Sequence, residues 1–373
     1  MQKSVLQLLK DLIAIPSVFP NEEKIARYCA NFLKGKGFDA KLVPIEKNRY
    51  DMVATKGSQK KCILLFGHLD TVPAYNYQKN PYKMEENGDI ISGLGSWDMK
   101  SGLAVIMSAA SKVNLKTIGI KIVFSADEEN NSLGSHLIYT KDFLKNVVIG
   151  ISPEIVDSFE KDRNCILLGR RGRVVYKIDI LGVSGHGASL EGISAISIAS
   201  RLVEYIEKLK FKGNNFLGET TVFVRGIEGS STSLSLPEKC TMHLDVHYVP
   251  PYTEENLLKE IKKNIDSNFS SYISKGVKIS IKIAKRNTPY LNPYITNRKN
   301  VYVKKALKIL SKKLKISAGL TVADENIVAN FGVPVITIGP VGGNAHSNKE
   351  WVSKKSVLQI EKIYLDLLCE LVG

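Results

Sequence analysis

The sequence is short of the residues that announce several kinds of protein. It has five cysteines in 373 residues, Cys29, Cys62, Cys165, Cys240 and Cys369, and no CxxC pair. An odd, scattered set argues against a disulfide framework or a cysteine zinc ribbon and fits reduced, mostly buried thiols. No stretch of 18 uncharged apolar residues occurs, so no membrane span and no membrane partner is expected. The opening MQKSVLQLLKDLIAIPSVFP interrupts its apolar pattern at Lys10 and Asp11 and lacks a small-residue cleavage site. It reads as the first helix of a cytoplasmic protein rather than a signal peptide. Internal repeats and low-complexity linkers are also missing.

Acid is in deficit. Asp and Glu number 37 against 52 Lys and Arg, a formal net charge of +15. A nucleic-acid-binding protein would gather such cations and interleave them with aromatics. Here the lysines are spread along the chain, and in KKALKILSKKLK they lie mostly opposite Val303, Leu307, Leu310 and Leu314. That is the pattern of a solvated helix face, so no nucleic-acid partner is expected. The field of such a protein favours an anionic small molecule.

The composition that remains is ordinary for a globular protein, 44% hydrophobic and 24% charged, in a chain long enough for one large or two moderate domains. The runs KCILLFGH, IGIKIVFSADEE and NVVIGISPE read as strands and SGLAVIMSAASKV as a buried helix, which predicts an α/β sheet. Near Gly169 the style changes. RVVYKIDILGVSGH alternates, SAISIASRLVEYIEKLK is helical, TTVFVRGIEG and KCTMHLDVHYV alternate, TEENLLKEIKKNIDSNF is helical and VKISIKIAKR alternates. This β-α-β-β-α-β order is that of an α+β open sandwich of the ferredoxin-like kind. The expected organisation is a catalytic domain of residues 1–171 and 285–373, interrupted by an inserted lid or dimerisation domain of residues 172–284.

Ligands of open α/β sheets bind beyond the carboxyl ends of the strands. The polar residues at those ends are His68 and Asp70 of GHLDTVP, Asp98 of GLGSWDMKSG, Asp127, Glu128 and Glu129 of SADEE, Glu154 of SPEIVD, and His346 of GGNAHSNKE. Any one of these clusters alone is a weak signal. Together they supply two imidazoles and several carboxylates at one predicted rim, a donor set that suits two divalent metals with a carboxylate left for proton transfer. GPVGGNAH does not read as a phosphate loop, because it follows its strand and no Lys-Ser/Thr pair succeeds the glycines.

The joint occurrence of GHLDTVP, GLGSWDMKSGLAV, SADEE, GVSGHGA and NAHSNKEWV resembles the aminoacylase/carboxypeptidase family of di-zinc metallohydrolases over essentially the whole chain. That family includes acetylornithine deacetylases and succinyl-diaminopimelate desuccinylases. The resemblance implies a mixed-sheet, exopeptidase-like catalytic domain and two divalent ions, zinc first, with cobalt or manganese as alternatives. It implies that His68 and Glu154 hold one ion, Glu129 and His346 the other, and that Asp98 bridges them, with Asp157 a competitor for the place of Glu154. Asp70 would orient His68 through its second ring nitrogen. Glu128 would be the general base toward a metal-bridging water. His186 of SGHGA would polarise the scissile carbonyl from the partner subunit of a homodimer, and Arg170 of LLGRRGRV would hold a substrate carboxylate. His247 is a further substrate-binding candidate. It stands where desuccinylases carry Arg, and Leu234 near where they carry Asn, which counts against succinyl-diaminopimelate itself. The implied reaction is removal of an acyl group from an N-acyl amino acid. The alternative is a dipeptidase or aminopeptidase of the same family, and in that case a dipeptide would be the small-molecule partner.

Overall fold

The strand Cys62–His68 is buried along its whole length. A run of Cys, Ile, Leu and Phe with no polar alternation requires cover on both faces, and it finds that cover at the centre of a sheet. It pairs in parallel with Gly119–Ser125 on one side and Val147–Ser152 on the other. The structure, a computed structural model, describes residues 3–158, 160, 164–188, 191–231 and 233–372. Among these, a nine-stranded mixed sheet runs in the order Asp39–Glu46, Arg49–Lys56, Gly119–Ser125, Cys62–His68, Val147–Ser152, Val335–Thr337, Cys165–Arg170, Tyr294–Ile295. Lys315–Gly319 pairs in parallel with Cys165–Arg170 outside that path. Val335–Thr337 is bonded both to Val147–Ser152 and to Cys165–Arg170.

The parallel core aligns the carboxyl ends of three strands, and His68 stands in register with Ser125. A helix covers one face of this part of the sheet, and Phe66 meets Tyr139 elsewhere on the strand. Ser101–Lys112 is buried from Ser101 to Ala110 and packs against the helices Val5–Ile13 and Lys354–Val372. Two glycines let its start approach the strands. A Cβ on Gly67 would meet Met99 Cε at 2.3 Å, and one on Gly102 would meet the Pro153 carbonyl at 2.7 Å. The same closeness lets the His68 N–H donate to Met99 Sδ at 3.2 Å. Small residues at 67 and 102 thus bring the residues beside Asp98 against those beside His68 and Glu154.

The chain divides into two units, Met1–Arg170 with Tyr294–Gly373, and Arg171–Pro293. The second has a four-stranded antiparallel sheet in the order Thr221–Gly229, Lys239–Tyr248, Gly172–Leu181, Lys278–Ile283. Its helices, Ala195–Ile206 and Glu254–Asn268, complete the β-α-β-β-α-β order read from the sequence. Tyr176, Ile178 and Leu244 from the strands pack with Leu202 and Ile261 from the helices. The unit extends beyond the expected limit of 284 to Pro293. The Arg173 N–H donates to the Leu291 carbonyl at 2.8 Å, so residues 285–293 stay with the strand Gly172–Leu181 and not with the first unit. None of the five cysteines forms a disulfide, and four are buried. No helix among the described residues is long and apolar enough to cross a membrane.

One buried charge network braces the first unit. Arg49 is 4% exposed and bonds both carboxylate oxygens of fully buried Glu22 at 3.2 and 2.6 Å and Asp127 Oδ1 at 3.0 Å. Its guanidinium also lies 4.4 Å from the centre of the Phe19 ring. Removing the cation strands two buried carboxylates. Arg49→Ala is therefore expected to lower the unfolding free energy by about 3–5 kcal/mol, read by denaturant unfolding. A loss below ~1 kcal/mol, the scale of a surface pair, would contradict this account of the network.

Candidate metal centre

The strand ends deliver five side chains to one place. His68 closes the strand Cys62–His68, and its Nε2 lies 3.0 Å from Asp98 Oδ1 and 3.6 Å from Glu154 Oε2. His346 Nε2 lies 3.3 Å from the other oxygen of Asp98, Oδ2, and 3.0 Å from Glu129 Oε2. The two oxygens of Asp98 thus face different imidazoles, each accompanied by its own glutamate. Ligand atoms of His68, Asp98 and Glu129 all fall within 4.8 Å of one another. Glu129 Oε1 is buried without a hydrogen-bond partner. A set of two imidazoles and three carboxylates, with His68, Asp98 and Glu154 buried, His346 exposed and one oxygen of Glu129 orphaned, fits divalent cations better than it fits any neutral ligand.

Asp98 owes its place to a bent segment. Within Ser96–Lys100 the backbone leaves helical geometry at Asp98, with φ −111° and ψ 95°. Buried Glu350 accepts the N–H of Gly95 at 2.8 Å on one oxygen, and those of Trp97 and Asp98 at 2.8 and 2.9 Å on the other. Asp70 anchors the next loop in the same way. Its carboxylate accepts the N–H groups of Glu128 and Glu129 at 3.1 and 3.0 Å. The expected contact between that carboxylate and His68 is long, 3.6 Å, and the Asp70 backbone carbonyl takes its place 3.0 Å from Nδ1. Either acceptor holds a proton on Nδ1 and leaves Nε2 facing Asp98 and Glu154.

Glu154 and Asp157, both open as ligands in the sequence, part company here. Glu154 accepts the Ile155 N–H with Oε1 at 2.8 Å and turns Oε2 to His68. Asp157 binds Arg170 at 2.7 Å and the Thr321 N–H at 2.7 Å. This also corrects the expectation for Arg170. Its side chain is fully buried, and beyond Asp157 it donates to the Ile155 carbonyl at 3.1 Å and to Glu325 Oε1 at 3.4 Å. A guanidinium so enclosed supports the Glu154 segment and is not presented to a substrate carboxylate. His186 and His247 belong to the second unit. His186 is exposed, and its Nδ1 accepts the Ala188 N–H at 3.2 Å. His247 is half-buried on the strand Lys239–Tyr248, opposite Arg173 and Thr221.

Three supporting acids lay outside the sequence reading as site residues. Glu350 is one. Asp324 is buried, and its Oδ2 accepts the hydroxyls of Ser125 and Ser135 at 2.6 and 2.5 Å. Glu325 accepts from Thr337 at 2.7 Å as well as from Arg170. In VADENIV the last two look like ordinary acids of a helix first turn, and only their burial gives them another meaning. The acid at 350, four residues after His346 and ahead of an apolar pair, was the one available signal.

Charge is unevenly held across the centre. Burial opposes ionisation of Asp98, yet the bonds from His346 and His68 outweigh it and hold its carboxyl well below the usual range. Burial pushes the carboxyls of Glu154 and Glu128 well above theirs, and repulsion from neighbouring carboxylates adds to it. His346 is raised to about 11 by its bonds to Asp98 and Glu129. For His68, burial pulls downward, but Glu154, Asp70 and Asp98 together hold it well above the ordinary value.

Comparison with known proteins agrees with this layout. The sequence model of peptidase family M20/M25/M40 matches residues 64–370. A succinyl-diaminopimelate desuccinylase of Wolinella succinogenes is 26% identical over 380 residues, covering 99% of this chain and 100% of the relative. An acetylornithine deacetylase of Buchnera aphidicola is 26% identical over 270 residues, 67% of this chain and 69% of that one. Among solved structures, a tripeptidase of Staphylococcus aureus superposes with a TM-score of 0.81 at 18% identity, covering 100% of this chain and 99% of its own. A dinuclear metal-binding peptidase of Bacillus subtilis gives 0.70 at 12% identity, covering 98% and 96%.

Metal ligation needs neutral imidazoles and ionised carboxylates, whereas in the cluster the neighbouring carboxylates raise both imidazoles above their ordinary value. Zinc uptake is therefore expected to release protons and to strengthen as pH rises through the neutral range. Calorimetric titrations in buffers of different ionisation enthalpy measure that release. Zinc binding with no proton release would contradict the charge distribution described above.

Proposed function

This chain belongs to peptidase family M20/M25/M40 and is a metal-dependent hydrolase of amide bonds, and we propose that its reaction is removal of an acyl group from an N-acyl amino acid. The observation that carries the reading is the division of Asp98 between two imidazole–glutamate pairs. His68 and Glu154 would hold one ion, Glu129 and His346 the second, and Asp98 would bridge them. Zinc is the first choice for that donor set, with cobalt and manganese to be tested beside it. When bound, such ions supply Lewis acidity and lower the pKa of water.

The chain's own groups do the rest. Glu128 makes none of the imidazole contacts that occupy Glu129, which leaves its carboxylate for proton transfer. It would accept a proton from the attacking water and return it to the leaving nitrogen, so that the acyl–oxygen bond forms and the acyl–nitrogen bond breaks. His186, with Nδ1 accepting a backbone N–H, carries its ring proton on Nε2 and would donate to the carbonyl oxygen as charge develops there. His247 would contribute to substrate binding. Full-length relatives named desuccinylase support deacylation. The tripeptidase likeness favours the second reading, a peptidase of the same chemistry. Release assays over acetyl, succinyl and formyl amino acids and dipeptides, with zinc, cobalt and manganese added separately, decide between them. Turnover of dipeptides alone would replace the first reading by the second.

Glu128→Gln is expected to keep its fold and metal content while kcat falls at least ~10²-fold. Near-normal turnover in a fully metallated sample would move the proton acceptor elsewhere.

We further propose that the protein is a homodimer in which His186 serves the partner's centre. Thr221–Gly229 is an end strand of the second unit's sheet and exposes Phe223 and Ile227. An open apolar edge of this kind invites pairing with a second copy. Glu128→Ala and His186→Ala should each be nearly inactive alone. Refolded together at equal amounts, they should regain roughly a quarter of wild-type activity, because half the dimers are mixed and each of those has one intact composite centre. Mixed dimers verified by differential tags but without activity would place His186 in its own chain's service.

A further inference from the structure

Glu350 has no place among the ligands, yet the segment that carries Asp98 hangs from it. Its side chain is 3% exposed, and its two oxygens take the N–H groups of Gly95, Trp97 and Asp98 at 2.8, 2.8 and 2.9 Å. Hydrogen bonds from amides to a buried carboxylate are strong and directional. The Asp98 side chain therefore leaves the backbone from a point that Glu350 fixes. Glu350 also lies four residues beyond His346 on the same segment. A second tie joins the two stretches, from Trp97 Nε1 to the Pro340 carbonyl at 2.8 Å. One side chain thus links the bridging carboxylate to the stretch bearing His346, whose Nε2 is 3.3 Å from Asp98 Oδ2. His68 meets Asp98 by a separate route, through its strand and the Met99 contact beside Gly67.

We infer that Glu350 is a positioning residue that sets His346 against Asp98 Oδ2, so that its loss weakens the ion held by Asp98, Glu129 and His346 selectively. The ion held by His68, Glu154 and Asp98 shares Asp98 but has a second support in the Met99 contact with the His68 strand, and it is expected to keep its affinity. This inference rests on the two-ion reading given above.

The test is calorimetric titration of metal-free protein with zinc alone. His346→Ala and His68→Ala identify which binding step belongs to which site. Glu350→Gln conserves size, but its amide must turn an N–H₂ toward at least one backbone N–H. The step that His346→Ala abolishes is expected to weaken about 10- to 100-fold in Glu350→Gln, the range for partners that orient a ligand, while the other step stays put. Glu350→Asp keeps the charge but is one methylene too short to span all three amides. It should show the same selective loss, and it decides the matter if the Gln variant does not fold. Equal weakening of both steps, or no weakening, makes Glu350 part of the general scaffold and overturns the inference alone. A wild type that takes up only one zinc overturns the two-ion reading and this inference with it.

Discussion

The structure turns on how one carboxylate is shared. Asp98 points one oxygen at His68 and the other at His346, and each imidazole brings a glutamate with it. This demands that residues from five separate stretches of chain converge within a few ångströms, most of them buried. Bringing carboxylates together out of water is costly unless opposite charge or amide dipoles answer each one. Much of the first unit can be understood as that answer. The parallel core lines up the strand ends, and the glycines at 67 and 102 let the helix start approach them.

A second layer of acids completes the answer in a consistent way. Asp70 holds the amides of Glu128 and Glu129, and Glu350 holds those of Gly95, Trp97 and Asp98. In both cases the supporting carboxylate grips the backbone of the functional residue and leaves its side chain free to act. Arg170 does for the Glu154 segment what these acids do for theirs, through Asp157 and the Ile155 carbonyl. Sharing one anchor couples Glu128 to Glu129. The residue proposed to move protons and the residue proposed to hold metal cannot be displaced separately.

The residues proposed as ligands were legible in the sequence because their chemistry is unusual where they stand. Histidines and paired acids at the ends of apolar strands have few bland explanations once several occur together. The alternation of Gly172–Leu181 and its partners likewise exposed the inserted unit, since period-two burial is written directly in residue order. What stayed hidden was burial without periodicity. Arg170 looked like a substrate-binding fork because GRRG gives no hint that Asp157 and Glu325 enclose it. Asp324 and Glu325 looked like first-turn acids for the same reason. Asp70 was given the right neighbour, but the nearer approach of its backbone carbonyl was not legible, because the choice between that carbonyl and a carboxylate 0.6 Å farther off depends on local geometry. The end of the second unit was missed by nine residues because Leu291 is held through a backbone bond that any residue could make.

The strand order has a consequence for how the chain comes into being. Val335–Thr337 bridges Val147–Ser152 and Cys165–Arg170, so the central sheet has a gap until residue 337 has been made. The second unit, Arg171–Pro293, is contiguous and is complete well before then. On a ribosome adding residues at about 5–20 per second, the first 170 residues wait on the order of ten seconds with two apolar strand edges unpaired. Vectorial synthesis therefore finishes the inserted unit first and the unit that contains it last. During that interval the growing chain is the species most open to edge-to-edge association and to chaperones.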